Sequence, residues 1–114
     1  MAGFILRKGQ RLKTFATLRY FGDGVAGEGI VKDLSLSGSY ITGNRPVSIG
    51  MVLALHIFVP GEAVLLLIES ATVKWVKRVD FGVDFGTHEL KVAEHITRVI
   101  SKLVKTQHGS SRDE

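Results

Sequence analysis

Ile30-Val31-Lys32-Asp33-Leu34-Ser35-Leu36-Ser37-Gly38-Ser39-Tyr40-Ile41 is the stretch whose reading decides the fold. Its two ends alternate as half-buried strands do, with Ile30 on one side and Tyr40 and Ile41 on the other as apolar anchors. The middle abandons the alternation and gathers an acid, two hydroxyls and a glycine. Asp and Ser bond readily to their own backbone at a chain reversal, and Gly38 accepts either a positive φ or the close approach of another group. The stretch reads as two strands joined by a polar turn. That turn is also a convergent set of donors and acceptors.

Strand signals continue on both sides. Phe15 to Phe21 alternates, with Ala16, Leu18 and Tyr20 facing inward, and Gly22-Asp23-Gly24 marks a reversal into a strand over Glu28 to Leu34. Ser39 to Thr42 is the next strand, closed by the turn Gly43-Asn44-Arg45-Pro46. Met51 to Val59 is a long aliphatic strand, and Pro60-Gly61-Glu62 turns it into Ala63 to Val76, one strand bent near Glu69-Ser70. Phe81 to Phe85 is the last strand, in which Gly82 marks a bulge or a close backbone contact. Short strands at this spacing predict an antiparallel barrel or sandwich. From Leu90 the period changes: Val92, Ile96, Val99, Ile100, Leu103 and Val104 recur at three and four residues, predicting an amphipathic helix that begins near Thr87-His88-Glu89.

Composition sets the frame. The 114 residues suit one domain with a single core, 45% of them hydrophobic and 23% charged. There is no cysteine, which excludes disulfides, a thiol nucleophile and a cysteine metal site. No apolar run approaches membrane-spanning length, and the apolar start Met1 to Leu6 is too short for a signal-peptide core, so a cytoplasmic protein without membrane insertion is expected. Fifteen Lys and Arg against 11 Asp and Glu leave a net charge of +4, which mildly favours an anionic partner. The four histidines stand at no metal-site spacing. No catalytic triad, Walker loop or carboxylate pair is present, so the chain is read as no enzyme, with no metal and no cofactor.

Near the N-terminus, Arg7-Lys8-Gly9-Gln10-Arg11 places two arginines four residues apart. With Asp33-Leu34-Ser35-Leu36-Ser37-Gly38 it resembles the paired signatures of the PilZ domain family, RxxxR followed by [D/N]xSxxG. Each motif is weak alone, but the pair in this order in a chain this short is specific. Ala71-Thr72-Val73-Lys74-Trp75 and Phe81-Gly82-Val83-Asp84-Phe85 look like that family's late strands. The resemblance implies a mainly β fold, a six-stranded antiparallel barrel with a C-terminal amphipathic helix. The chain's own patterning leaves residues 1–12, without alternation or a turn anchor, as a flexible arm carrying RxxxR, 13–107 as barrel plus helix, and 108–114 as a disordered tail.

The resemblance also implies a function, binding of the bacterial second messenger cyclic di-GMP. Arg7 and Arg11 match the arginines with which the family clamps that ligand, and guanidinium groups fork onto phosphate and stack on bases as lysine does poorly. Asp33 would be repelled by phosphate but suits guanine, whose Watson–Crick edge presents adjacent N–H donors to a carboxylate. Ser35 would add its hydroxyl and Gly38 would admit the ligand to its backbone. Trp75 is most simply core or rim packing, yet with its face toward the pocket it would stack on a base, worth about 1–3 kcal/mol. The expected function is thus a cyclic di-GMP receptor that acts on an unidentified downstream protein. Two alternatives are a PilZ-like protein–protein adaptor that binds no nucleotide and a small basic β-barrel that binds single-stranded nucleic acid. The intact motifs argue against the adaptor. With six Phe, two Tyr and one Trp, mostly alternating inward, the nucleic-acid reading ranks last.

Overall fold

Ala16, Leu18 and Tyr20 are all buried in the computed structural model, between exposed Phe15, Thr17 and Arg19, as their alternation predicts. The structure describes residues 11–86 and 90–112, with side chains through Val104. Seven strands and one helix follow in chain order: β1 (Leu12–Lys13), β2 (Thr17–Gly22), β3 (Val25–Leu34), β4 (Gly38–Gly43), β5 (Val52–Phe58), β6 (Leu66–Lys77), β7 (Asp80–Asp84) and α1 (Leu90–Arg112). Every pairing is antiparallel. The order β3-β2-β5-β6-β7-β4 closes through β4 onto β3, so six strands make the barrel and the two-residue β1 is laid beside the end of β3. Closure leaves none of the six with an unpaired edge.

Turn chemistry accounts for the first hairpin. Asp23 and Gly24 both have positive φ (51° and 80°) between paired Gly22 and Val25, the two-residue turn whose twist matches the strands it joins. The expected bend of β6 is present as a slip of register, with Ile68 opposite Leu55 but Ala71 opposite Leu53, which places the extra residue at Glu69-Ser70. β6 starts at Leu66 rather than Ala63: Gly61 turns at φ 86° and Glu62 N–H donates to Val59 O, so the chain is still completing its reversal.

The helix contributes Ile96, Val99 and Ile100 to the same buried cluster as Leu18, Tyr20, Ile41 and Phe81. It packs on β6 and β1, and Lys102 Nζ reaches Glu62 Oε2 at 2.6 Å, tying it to the β5–β6 turn. Its backbone stays helical to Arg112, through most of the segment expected as a disordered tail. No proline interrupts the stretch, and neither Gly109 nor the serines end it. The expected start at Thr87-His88-Glu89 and residues 1–10, which include Arg7, lie outside the described residues. Among those described, no helix is long and apolar enough to cross a membrane.

Candidate functional site

The polar turn between β3 and β4 is organised from inside by Ser35. Its Oγ accepts from the N–H of Ser37 (3.2 Å) and of Gly38 (3.1 Å) and donates to Gly38 O (3.1 Å), while its own N–H donates to Gly38 O at 2.9 Å. The residue is fully buried. The hydroxyl expected to meet a ligand therefore spends its bonds on the turn. Ser35→Ala would leave buried N–H groups without their acceptor. A stability loss of about 1–3 kcal/mol is expected, read as a shifted denaturant midpoint; an unshifted midpoint would refute this role.

Gly38 is likewise explained from within. A Cβ there would stand 2.2 Å from Val83 O, on the β7 backbone that pairs with it. The glycine admits a neighbouring strand, and Phe85 N–H donates to Ser37 O (2.8 Å) on the same side.

Asp33 faces the other way. Its register with Tyr40 follows a bulge in which Lys32 is the extra residue, and that slip aims the Asp33 carboxylate outward over β4. Oδ1 accepts from Tyr40 N–H at 3.2 Å and from Arg11 Nη1 at 2.7 Å. The two signatures, 22 residues apart in sequence, thus touch through Arg11 and Asp33. Arg11 is half exposed, and Asp33 retains 20% of its side-chain exposure. Asp33 lines an open groove of ≈ 690 Å³ on the outer barrel wall together with Thr14, Phe15, Ile30, Lys32 and Tyr40 among others. Phe15, at 91% exposure, is the most exposed large apolar side chain described.

Trp75 joins this surface indirectly. Tyr40 of β4 and Trp75 of β6 are both paired with Gly82 of β7, one on each side, and their rings meet edge to face with centroids 5.2 Å apart. The reason for a glycine at 82 is space: a Cβ would lie 2.0 Å from the indole Nε1. Of the two sequence readings of Gly82, the close contact holds. The bulge lies opposite, where Val73 and Trp75 pair with consecutive residues and Lys74 is extra. Trp75 keeps 41% exposure, so it packs at the rim and is not a core residue.

Sequence reasoning missed Tyr40, Asp80 and Lys32. The sequence pattern groups Tyr40 with Ile41 as an apolar anchor. The structure buries Ile41 completely and leaves Tyr40 partly exposed on the outer wall, as strict alternation requires. Its phenol donates to Asp80 Oδ2 (2.8 Å), and Thr42 Oγ1 donates to Asp80 Oδ1 (2.8 Å). The Thr42 and Tyr40 hydroxyls, with Lys32 and Lys77 nearby, hold the Asp80 carboxyl below its ordinary value, while the bond to Asp80, burial and the charges of Asp80 and Asp33 push the Tyr40 phenol up. A lowered carboxyl in the folded state stabilises the protein above the unfolded value of 3.8, and that contribution disappears as pH falls through the lowered value. Acid denaturation of Asp80→Asn is therefore expected to show a weaker pH dependence in that window. An unchanged acid limb would count against the network.

No protein-family model and no curated protein matches the chain. Among solved structures it is similar to the PilZ domain of CeSA from a cellulose-synthesising bacterium, at 14% sequence identity and a TM-score of 0.68 over 83% of this chain and 98% of that one. Barrel closure, helix and chain order thus agree with what the two signatures implied, and the chain has the PilZ-domain fold.

Proposed function

We propose that this protein is a receptor for cyclic di-GMP that passes the signal to a separate protein in the bacterial cytoplasm. The observation that supports the reading is the 2.7 Å contact of Arg11 with Asp33, a residue of the open groove, so that one member of each signature meets the other. The chemistry suits a cyclic dinucleotide. Arg11, together with Arg7, supplies forked donors for phosphate, and Asp33 supplies an acceptor for the guanine edge. A groove of ≈ 690 Å³ falls in the range of small-molecule sites. Ser35 and Gly38 serve from inside the turn, fixing the backbone that presents Asp33. Nothing here asks for catalysis, a metal or a cofactor.

Arg11 and Asp33 satisfy each other across 2.7 Å. A ligand that offers Arg11 a phosphate and Asp33 a base edge replaces both halves of that pair at once. A mononucleotide has one base and one phosphate with which to do so. Calorimetric titration is expected to show saturable binding of cyclic di-GMP and much weaker binding of GMP or cyclic AMP. No heat at high micromolar cyclic di-GMP would sink the receptor reading and leave the adaptor.

A further inference from the structure

Thr17 stands at the centre of a row of outward side chains that crosses three strands. It is paired with Ile30 of β3 on one side and with Phe58 of β5 on the other. The outward face of an antiparallel wall is ordinarily polar, yet Ile30 is 49% and Phe58 43% exposed. Phe15, two residues before Thr17 and on the same wall, is 91% exposed. On the other side of the row is Arg19. There the wall sinks into a groove of ≈ 640 Å³ lined by Thr17, Arg19, Glu28, Gly29, Ile30 and Phe58 among others. An apolar knob and a groove thus lie on opposite sides of one apolar row.

The occupant that these features select is a second copy of the chain. A two-fold axis laid along the row of Ile30, Thr17 and Phe58 turns each of them to face its own copy and exchanges the positions on either side. Phe15 of each copy then comes over the groove of the other, its ring against Arg19, which is a favourable aromatic–guanidinium contact. Charge favours the same face. Each copy carries a net +4, so two copies repel across basic surfaces. Among the described residues, the charged ones lining this groove are Arg19 and Glu28, and they cancel. They form a loose pair at 3.8 Å, with side chains 60% and 67% exposed. A neutral apolar wall with its own knob and groove offers little to a strongly charged partner and is complementary to itself. Strand addition is not open to the second copy, because closure leaves none of the six barrel strands with an unpaired edge. Contact has to be made face to face.

We propose that this protein forms a two-fold dimer through the outer wall of β2, β3 and β5, with Phe15 of each copy seated in the groove of the other. The dimer borders the candidate ligand groove, which shares Phe15, Thr17 and Ile30 with this wall. It does not depend on the cyclic di-GMP reading, and its test is made without nucleotide.

The test is sedimentation equilibrium of the full chain from micromolar to millimolar concentration. The wild type is expected to pass from monomer to dimer as concentration rises. Phe15→Ser is expected to weaken the dimer at least about tenfold, the loss of one aromatic anchor from each copy. Ile30→Asp sets two carboxylates against each other at the axis and is expected to stay monomeric. Phe15 is too exposed for its replacement to disturb the core, so that variant decides the matter even where Ile30→Asp fails to fold. The chain has no cysteine, so single thiols can be placed on it. Thr17→Cys, on the axis, is expected to be joined to its own copy by a bismaleimide with a span of about 10 Å, the spacing of packed sheets. Val52→Cys, exposed at the far end of β5, is expected to react without joining copies. A chain that stays monomeric throughout, a dimer indifferent to Phe15→Ser, or joining of Val52→Cys as efficient as that of Thr17→Cys would each overturn the proposal. The first of these leaves the wall to the chain's own Phe4-Ile5-Leu6 or to a different protein.

Discussion

Arg11→Ala is expected to weaken cyclic di-GMP binding at least tenfold and to shift the melting temperature by no more than a few degrees. Hydrogen bonds to charged groups contribute about 1.5–3 kcal/mol, and tenfold in affinity is about 1.4 kcal/mol, so losing one forked contact reaches that threshold. Stability should hardly respond. Arg11 precedes β1, is half exposed, and has Asp33 as its charge partner. Exposed ion pairs are worth about 0–1 kcal/mol, so a mid-range loss of about 0.5 kcal/mol shifts the melting temperature by roughly 2–4 °C in a domain near this size. Arg11→Lys separates charge from geometry: it keeps the cation and loses the planar fork, so it should recover only part of the affinity. Arg7→Ala is expected to behave as Arg11→Ala does. Parallel titrations and thermal melts decide the matter, and wild-type affinity in either alanine variant would dismantle the site.

Gly38→Ala is expected to damage the protein far more than its one added methyl suggests. The Cβ would stand 2.2 Å from Val83 O, a backbone atom in a strand paired on both sides, so no rotamer change can relieve the conflict. Overpacked core sites cost about 1–3 kcal/mol even when side chains can adjust. With backbone against backbone, a loss of about 3 kcal/mol or more is expected, which lowers the melting temperature by about 12 °C or more. Ligand binding should fall with the fold. A variant that melts like the wild type but no longer binds would reverse the assignment and make Gly38 a ligand contact. Chemical denaturation beside calorimetry separates these outcomes.

The contrast between these substitutions shows how a motif mixes two kinds of requirement. In Asp33-Leu34-Ser35-Leu36-Ser37-Gly38, Ser35 and Gly38 meet the needs of a buried turn packed on β7, whereas Asp33 points out to the groove. A sequence pattern cannot separate them, because both kinds of residue are fixed in the same few positions. The adaptor reading draws its force from this point. Ser35 and Gly38 would be retained by the fold whether or not nucleotide binds, so Arg7, Arg11 and Asp33 carry the functional argument.

By itself the sequence determined the strand count of the barrel, the inward face of β2, the bend at Glu69-Ser70 and the presence of a C-terminal helix. All of these follow from local periodicity and turn chemistry, which any short window of chain contains. It also brought forward Arg11 and Asp33, since a charged pair of signatures survives translation into one dimension. Tertiary structure alone decided which polar residues face a groove and which are sealed in a turn. It alone placed Tyr40 between Asp33, Asp80 and Trp75. Those relations depend on the register of β4 and β6 against β7 and on the bulges at Lys32 and Lys74, and a slip of one residue would turn each side chain to the opposite face.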